Sequence, residues 1–183
     1  MRIWRSQTEF DLPASVLALG TFDGLHAGHR ALIERAMELS REINCACVVC
    51  TFDRHPLSVL SPGNAPRQLM RLDEKLAVLE KMGVDGVLVE TFDVACAATE
   101  PELYLEELVR NMRARALVAG FNHHFGAHGR GDADMIRREA ARLHYRAEIL
   151  PPVQDGGDVV SSTLIRALLE NGDTGRARRL MEE

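Results

Sequence analysis

Two hydrophobic rhythms alternate along this chain. Short, nearly unbroken apolar runs occupy residues 15–19, 45–52, 84–89, 116–119 and 147–150, the pattern of strands buried on both faces. Between them, apolar residues recur three and four positions apart. Leu32, Ile33, Ala36, Leu39 and Ile43 mark a helix over 28–43, Leu76, Leu79 and Met82 one over 73–82, and Leu103, Leu105 and Leu108 one over 101–112. Further helices are expected over 132–144, over 163–169 and from 173 onward. The punctuation agrees: Gly83 stands where a helix ends, Pro101 in a first turn, and Asn171-Gly172 at a stop. Residues 53–72, with Pro56, Pro62, Gly63 and Pro66, read as a loop. Strands alternating with helices predict an α/β fold, a doubly wound and mostly parallel sheet with helices on both faces. Ligands of such sheets bind beyond the carboxyl ends of the strands.

Composition narrows the partners more than the fold. At roughly 150 residues per domain, 183 residues predict a single domain over 1–183, and no internal repeat divides it. The 27 acidic residues outnumber the 22 basic ones, a formal charge of −5, which argues against a nucleic-acid partner. No apolar stretch approaches the roughly 20 residues that span a bilayer, and the first residues lack a secretory h-region. The expectation is a cytoplasmic protein without a membrane partner, a monomer or weak homo-oligomer. Cys45, Cys47 and Cys50 have a spacing that suggests metal, but a strand sends Cys47 and Cys50 to opposite faces. Core packing is the expected role, and no protein-held metal is expected.

Two polar segments carry the chemistry. Gly20-Thr21-Phe22-Asp23-Gly24-Leu25-His26-Ala27-Gly28-His29 follows the first strand and opens a helix. Positions three apart on a first turn share a face, so His26 and His29 point together. The helix start adds free N–H groups and partial positive charge, and Gly28 removes a side chain where a ligand approaches. The second segment is Ser161-Ser162-Thr163-Leu164-Ile165-Arg166, an N-cap followed one turn later by a guanidinium able to fork onto phosphate oxygens. Either segment alone reads equally as a capped helix; together they suggest a phosphate site.

His26-Ala27-Gly28-His29 matches the His-x-Gly-His signature of the nucleotidylyltransferase superfamily. The longer Gly-x-Phe-Asp-Gly-x-His-x-Gly-His form resembles the FMN adenylyltransferase branch, the FAD synthetase module of bacterial bifunctional riboflavin kinase/FAD synthetases. Ser161 to Arg166 resembles that family's second signature. Three looser matches lie between them. Thr51-Phe52-Asp53-Arg54-His55-Pro56 resembles Thr-Phe-x-Pro-His-Pro, with Arg54 in place of a Pro. Gly120-Phe121-Asn122-His123-His124-Phe125-Gly126 resembles Gly-x-(Asp/Asn)-Phe-x-Phe-Gly, with His123 in place of a Phe. Arg130-Gly131-Asp132 resembles Arg-x-Gly-Asp with the Arg displaced by one.

The resemblance implies a Rossmann-like fold and adenylyl transfer from ATP to FMN, giving FAD and pyrophosphate with no covalent enzyme intermediate. It implies catalytic roles for His26, His29, Ser162 and Arg166, and ATP binding by Gly20, Thr21, Phe22, Asp23, Gly28, Ser161 and Thr163. His55, Pro56, Asn122 and His124 fall on the FMN side. Mg²⁺ is expected on the ATP phosphates rather than in a protein cage. The family's riboflavin kinase module is not expected within these residues. Two other readings stay open: a relative using CTP or another phosphate-bearing acceptor, and a flavin- or nucleotide-binding protein without turnover. A fragment of a class I aminoacyl-tRNA synthetase shares the His-x-Gly-His logic but fits a short acidic chain least.

Overall fold

A computed structural model describes residues 1–182. In chain order the elements are β1 (Arg2–Trp4), β2 (Ser15–Leu19), α1 (Ala27–Glu42), β3 (Ala46–Phe52), α2 (Leu57–Leu60), α3 (Leu72–Met82), β4 (Gly86–Glu90), α4 (Val94–Ala98) and α5 (Pro101–Asn111). There follow β5 (Ala114–Gly120), β6 (His124–Phe125), β7 (Gly131–Asp132), α6 (Ala133–Leu143), β8 (Arg146–Leu150), β9 (Gln154–Asp155), β10 (Asp158–Val159), α7 (Ser162–Glu170) and α8 (Thr174–Glu182).

Six strands form one sheet in the order β1-β4-β3-β2-β5-β8, and every pairing in it is parallel. This is the parallel α/β sheet the alternating rhythms predict, in the Rossmann-like form the resemblance implies. The strand period distributes side chains to both faces. Leu17, Leu19, Val48, Cys50, Leu117 and Ala119 join the core beneath α5 and α6, while Val16, Ala18, Cys47, Val49, Ala116 and Val118 join the core beneath α1 and α3. Cys47 and Cys50 therefore pack in opposite layers, and burial pushes both thiols up, Cys47 to about 12. The order of connection reverses at β2, with β3 and β4 to one side and β5 and β8 to the other. The crevice this opens lies between the ends of β2 and β5.

Three expectations need correction. The chain opens with β1, which pairs with β4 at the sheet edge and was not expected. Its three residues are too few for a period to show, and Trp4 is buried only because β4 and Phe10 lie against it. Residues 53–72 are not all loop: α2 forms where the Ser58 hydroxyl donates to the His55 carbonyl (2.7 Å) and the Leu57 amide to His55 Nδ1 (3.2 Å). The strand expected at 84–89 begins at Gly86, because the Asp85 carboxylate turns aside to accept the Cys47 amide (2.8 Å).

Two small antiparallel ladders, β6 with β7 and β9 with β10, occupy the connections from β5 to α6 and from β8 to α7. The pair α7–α8 buries its own cluster of Val160, Ile165, Ala177 and Leu180. It docks on α1 through Arg30, whose guanidinium donates to the Met181 carbonyl (3.0 Å). No helix among the described residues is long and apolar enough to cross a membrane.

Candidate active site

A cavity of about 510 Å³ lies in the crevice beside β2. The end of β2 and its turn contribute Gly20 and Thr21, and the start of α1 contributes His26, Gly28 and His29. Ser161, Ser162, Thr163 and Arg166 face the same space from the start of α7. His55 and Pro56 approach from the end of β3, and Asn122 and His124 from the end of β5. Two helix starts more than 130 residues apart in sequence thus meet around one volume.

The turn between β2 and α1 is bent through left-handed backbone at Phe22 (φ 50°), Gly24 (φ 86°) and Leu25 (φ 40°). Non-glycine residues hold such angles only when their surroundings over-determine them. Here the Phe22 and Leu25 side chains are fully buried. The Phe22 ring sits under Gly20, where an added Cβ would lie 3.0 Å from it. Phe22, expected near ATP, therefore does not line the cavity; it is a core plug that holds the turn.

His26 caps α1, its Nδ1 accepting the His29 amide at 3.4 Å, and its ring stacks on His29 with centroids 3.7 Å apart and planes 17° from parallel. Acceptance at Nδ1 leaves the proton on Nε2, the atom free to donate elsewhere. Burial pushes His26 down to about 4, against a weaker opposing pull from Asp23. His29 is held well below the usual histidine range, first by burial and then by the nearby His26 and Lys75. Both rings are therefore neutral donors at pH 7, not imidazolium ions. His29 Nδ1 is buried without a hydrogen-bond partner among the described residues. A native fold leaves few such atoms, and ligand sites are where they concentrate.

Asp23, also expected at ATP, lies behind the wall of the cavity rather than on it. One carboxylate oxygen accepts the Leu69 and Met70 amides (2.9 and 3.2 Å) and the other the Arg166 guanidinium (2.5 Å), while its carbonyl accepts the Ser162 hydroxyl (2.8 Å). It is the joint between the two signatures. Arg166 in turn is braced, with Nε donating to the Arg67 carbonyl (2.8 Å), so part of its fork is already engaged while it lines the cavity. Ser161 spends its hydroxyl on the Leu164 amide (3.2 Å) as N-cap of α7. Thr163 is exposed at the wall.

The departures from the expected motifs are explained by contacts. Arg54 folds back onto Asp53 (2.9 Å) and does not line the cavity. His123, standing where the family pattern has Phe, stacks on Phe125 at 5.8 Å and 22°, and burial pushes it down to about 4, so a flat uncharged ring is kept. His124 is exposed, its Nδ1 3.0 Å from the Gly129 carbonyl.

Sequence reasoning missed two groups. Lys75 is buried and donates to the Thr21 carbonyl (2.7 Å) and the Thr51 hydroxyl (3.1 Å). A signal for it existed: Lys75 precedes Leu79 and Met82 by four and seven residues, a charged side chain on the apolar stripe of α3. The second group also lines the cavity: Tyr104, Phe125 and Phe92, together with Glu90. The Glu90 carboxylate accepts Gln7 Nε2 (2.8 Å) and the Tyr104 hydroxyl (2.9 Å), and burial pushes its carboxyl up. These residues lie inside apolar strand and helix patterns and look like ordinary core.

No group of three or more His, Cys, Asp and Glu able to hold a metal occurs among the described residues. The donors facing the cavity instead suit an anion: imidazole N–H, hydroxyl, guanidinium and the amides of two helix starts.

The profile of the FAD synthetase family matches residues 9–164. The bifunctional riboflavin kinase/FMN adenylyltransferase of Escherichia coli (strain K12) is 34% identical over 167 residues, 91% of this chain and 53% of that protein. A Geobacillus thermodenitrificans relative, provisionally named for the same two activities, is 32% identical over 174 residues, 94% of this chain and 92% of its own length. A solved structure described as a macrolide-efflux protein of Streptococcus pneumoniae superposes with a TM-score of 0.85 at 28% identity, covering 98% of this chain and 59% of that one. The chain spans about half the length of the E. coli relative.

Proposed function

Because the chain belongs to the FAD synthetase family, we propose that it transfers the adenylyl group of ATP to the phosphate of FMN. An FMN phosphate oxygen attacks the α-phosphorus, the bond from that phosphorus to the β-bridging oxygen breaks, and FAD and pyrophosphate result. A phosphate dianion is already a nucleophile, so no side chain need become covalently attached. Catalysis is then positioning plus stabilisation of the charge that moves onto pyrophosphate. The E. coli relative is named for this activity together with riboflavin phosphorylation; only adenylyl transfer is assigned here.

The observation that carries the reading is the convergence of the α1 and α7 starts on one cavity. In it, His26 and His29 donate to the α- and β-phosphate oxygens as neutral rings. Thr163, the first amides of α7 and the unengaged arm of Arg166 hold the leaving pyrophosphate, while Ser161 and Ser162 fix the helix start that presents them. Gly28 leaves room for the His26 ring, from which a Cβ would lie 3.3 Å, and so keeps the donor ring in its place on the cavity wall. His55, Pro56, Asn122 and His124 border the acceptor side, and the aromatic lining of Phe92, Tyr104 and Phe125 suits a flat ring system. Mg²⁺ bound by the ATP phosphates would supply further charge neutralisation, since nothing among the described residues forms a cage for it.

The test is incubation of the purified chain with ATP, Mg²⁺ and FMN, with FAD and pyrophosphate measured together. Equimolar appearance of both supports the proposal. FMN binding without either product points to a binding protein, and pyrophosphate release only with another phosphorylated acceptor or with CTP reassigns the substrates.

A further inference from the structure

Lys75 is the only buried Lys or Arg among the described residues, at 4% exposure. No carboxylate oxygen of a described residue lies within ion-pair distance of its ammonium. Its partners are the Thr21 carbonyl (2.7 Å) and the Thr51 hydroxyl (3.1 Å), and that hydroxyl donates to the same carbonyl at 2.9 Å. The three atoms close a triangle at the point where the chain leaves β2 for the strained turn. Thr51 belongs to β3, the neighbour of β2, so the triangle ties the turn to the sheet.

Burying a cation without a counter-charge is costly, and an apolar side chain of similar volume is often as stable or more so. On the stripe of α3, beside Leu76, Leu79 and Met82, a methionine would pack without that cost. Stability alone does not explain a lysine here. The turn it holds is the one that delivers His26 and His29 to the cavity.

We infer that Lys75 is a positioning residue for adenylyl transfer: its ammonium clamps the Thr21 carbonyl against β3 and thereby sets where the turn presents the two histidines to the triphosphate. The inference rests on the proposed function. Electrostatics agrees with the geometry. The ammonium, itself pushed down to about 8 by burial and opposed by Asp23, helps hold the His29 ring uncharged and also lowers His55.

Lys75→Met tests this, with thermal unfolding as the check on folding. The expected result is a fall in kcat for FAD formation of about tenfold or more with KM for ATP changed less than about threefold, because misplaced donors cost the transition state more than the ground state. Ring signals in NMR titration add a readout that simple packing would not move: loss of a neighbouring positive charge raises the His29 pKa. Lys75→Arg keeps the charge without the fit, so kcat stays low while the His29 value stays down. If Lys75→Met does not fold, Thr51→Val opens the triangle while keeping the lysine, and a loss of about threefold or more in kcat is expected. Unchanged kcat in the folded variant, or in Thr51→Val in its stead, overturns the inference. Wild-type turnover run in parallel tests the proposed function separately. Should the wild type make no FAD, the clamp is read in Thr51→Val, which opens the triangle and keeps the charge: displaced His26 and His29 ring signals support it, and unmoved ones overturn the inference by themselves.

Discussion

His26 and His29 differ in what their loss does. The His29 ring forms no side-chain hydrogen bond within the described chain, so His29→Ala is expected to remain folded and to lose about 10²–10³ in kcat, the usual cost of removing one preorganised donor. Turnover within a factor of a few of wild type would remove His29 from the mechanism. His26 also caps α1, so His26→Ala combines a loss of activity with about 1 kcal/mol of stability. Its folded value of about 4 lies below the unfolded value of 6.5. The unfolded state therefore binds the proton first: the stability from burying a neutral His26 is whole above about pH 6.5 and is lost as pH falls through about 4. Denaturant melts at pH 7, 5.5 and 4.5 are expected to show the decline, and His26→Asn, which keeps a cap without titrating, to make it shallower, the buried His29 and His123 supplying the remainder.

At the scale of elements, the starts of α1 and α7 matter more than their lengths. The hairpin β9–β10 leads directly into Val160 and Ser161, and Arg176 of α8 holds it by ion pairs to Asp155 and Asp158, both at 2.9 Å. These contacts are partly exposed and contribute little to global stability. Arg176→Ala is therefore expected to raise KM for ATP several-fold while the melting temperature stays within about 2 °C, since a loosened hairpin no longer fixes the first turn of α7. A large drop in melting temperature with KM unchanged would mean that the pair serves folding instead. The long helices and inner strands were legible in the apolar rhythm because each buries a whole face. The strands β6, β7, β9 and β10, two residues each, show no period of their own; pairing partners brought by the chain on either side define them.

For the molecule as a whole, Asp23 joins what sequence reading treated as two separate signatures. It binds residues 69 and 70 and Arg166, and its carbonyl takes the Ser162 hydroxyl. Asp23→Ala leaves the Arg166 guanidinium largely buried without its counter-charge and is expected to cost about 3–5 kcal/mol, read as a shift in the denaturation midpoint. A loss below about 1 kcal/mol would show that the joint is dispensable. The amino-acid order by itself determined the parallel α/β sheet, the two capped helix starts that line the cavity and the family, because periodicity, caps and contiguous motifs are local properties. Tertiary structure alone decided that Phe22 is a plug, that Asp23 is a brace, that Glu90 and Tyr104 border the cavity and that Lys75 stands under the turn. Each of those roles depends on which distant residue fills the space beside it, and proximity across a folded sheet is not written in spacing along the chain.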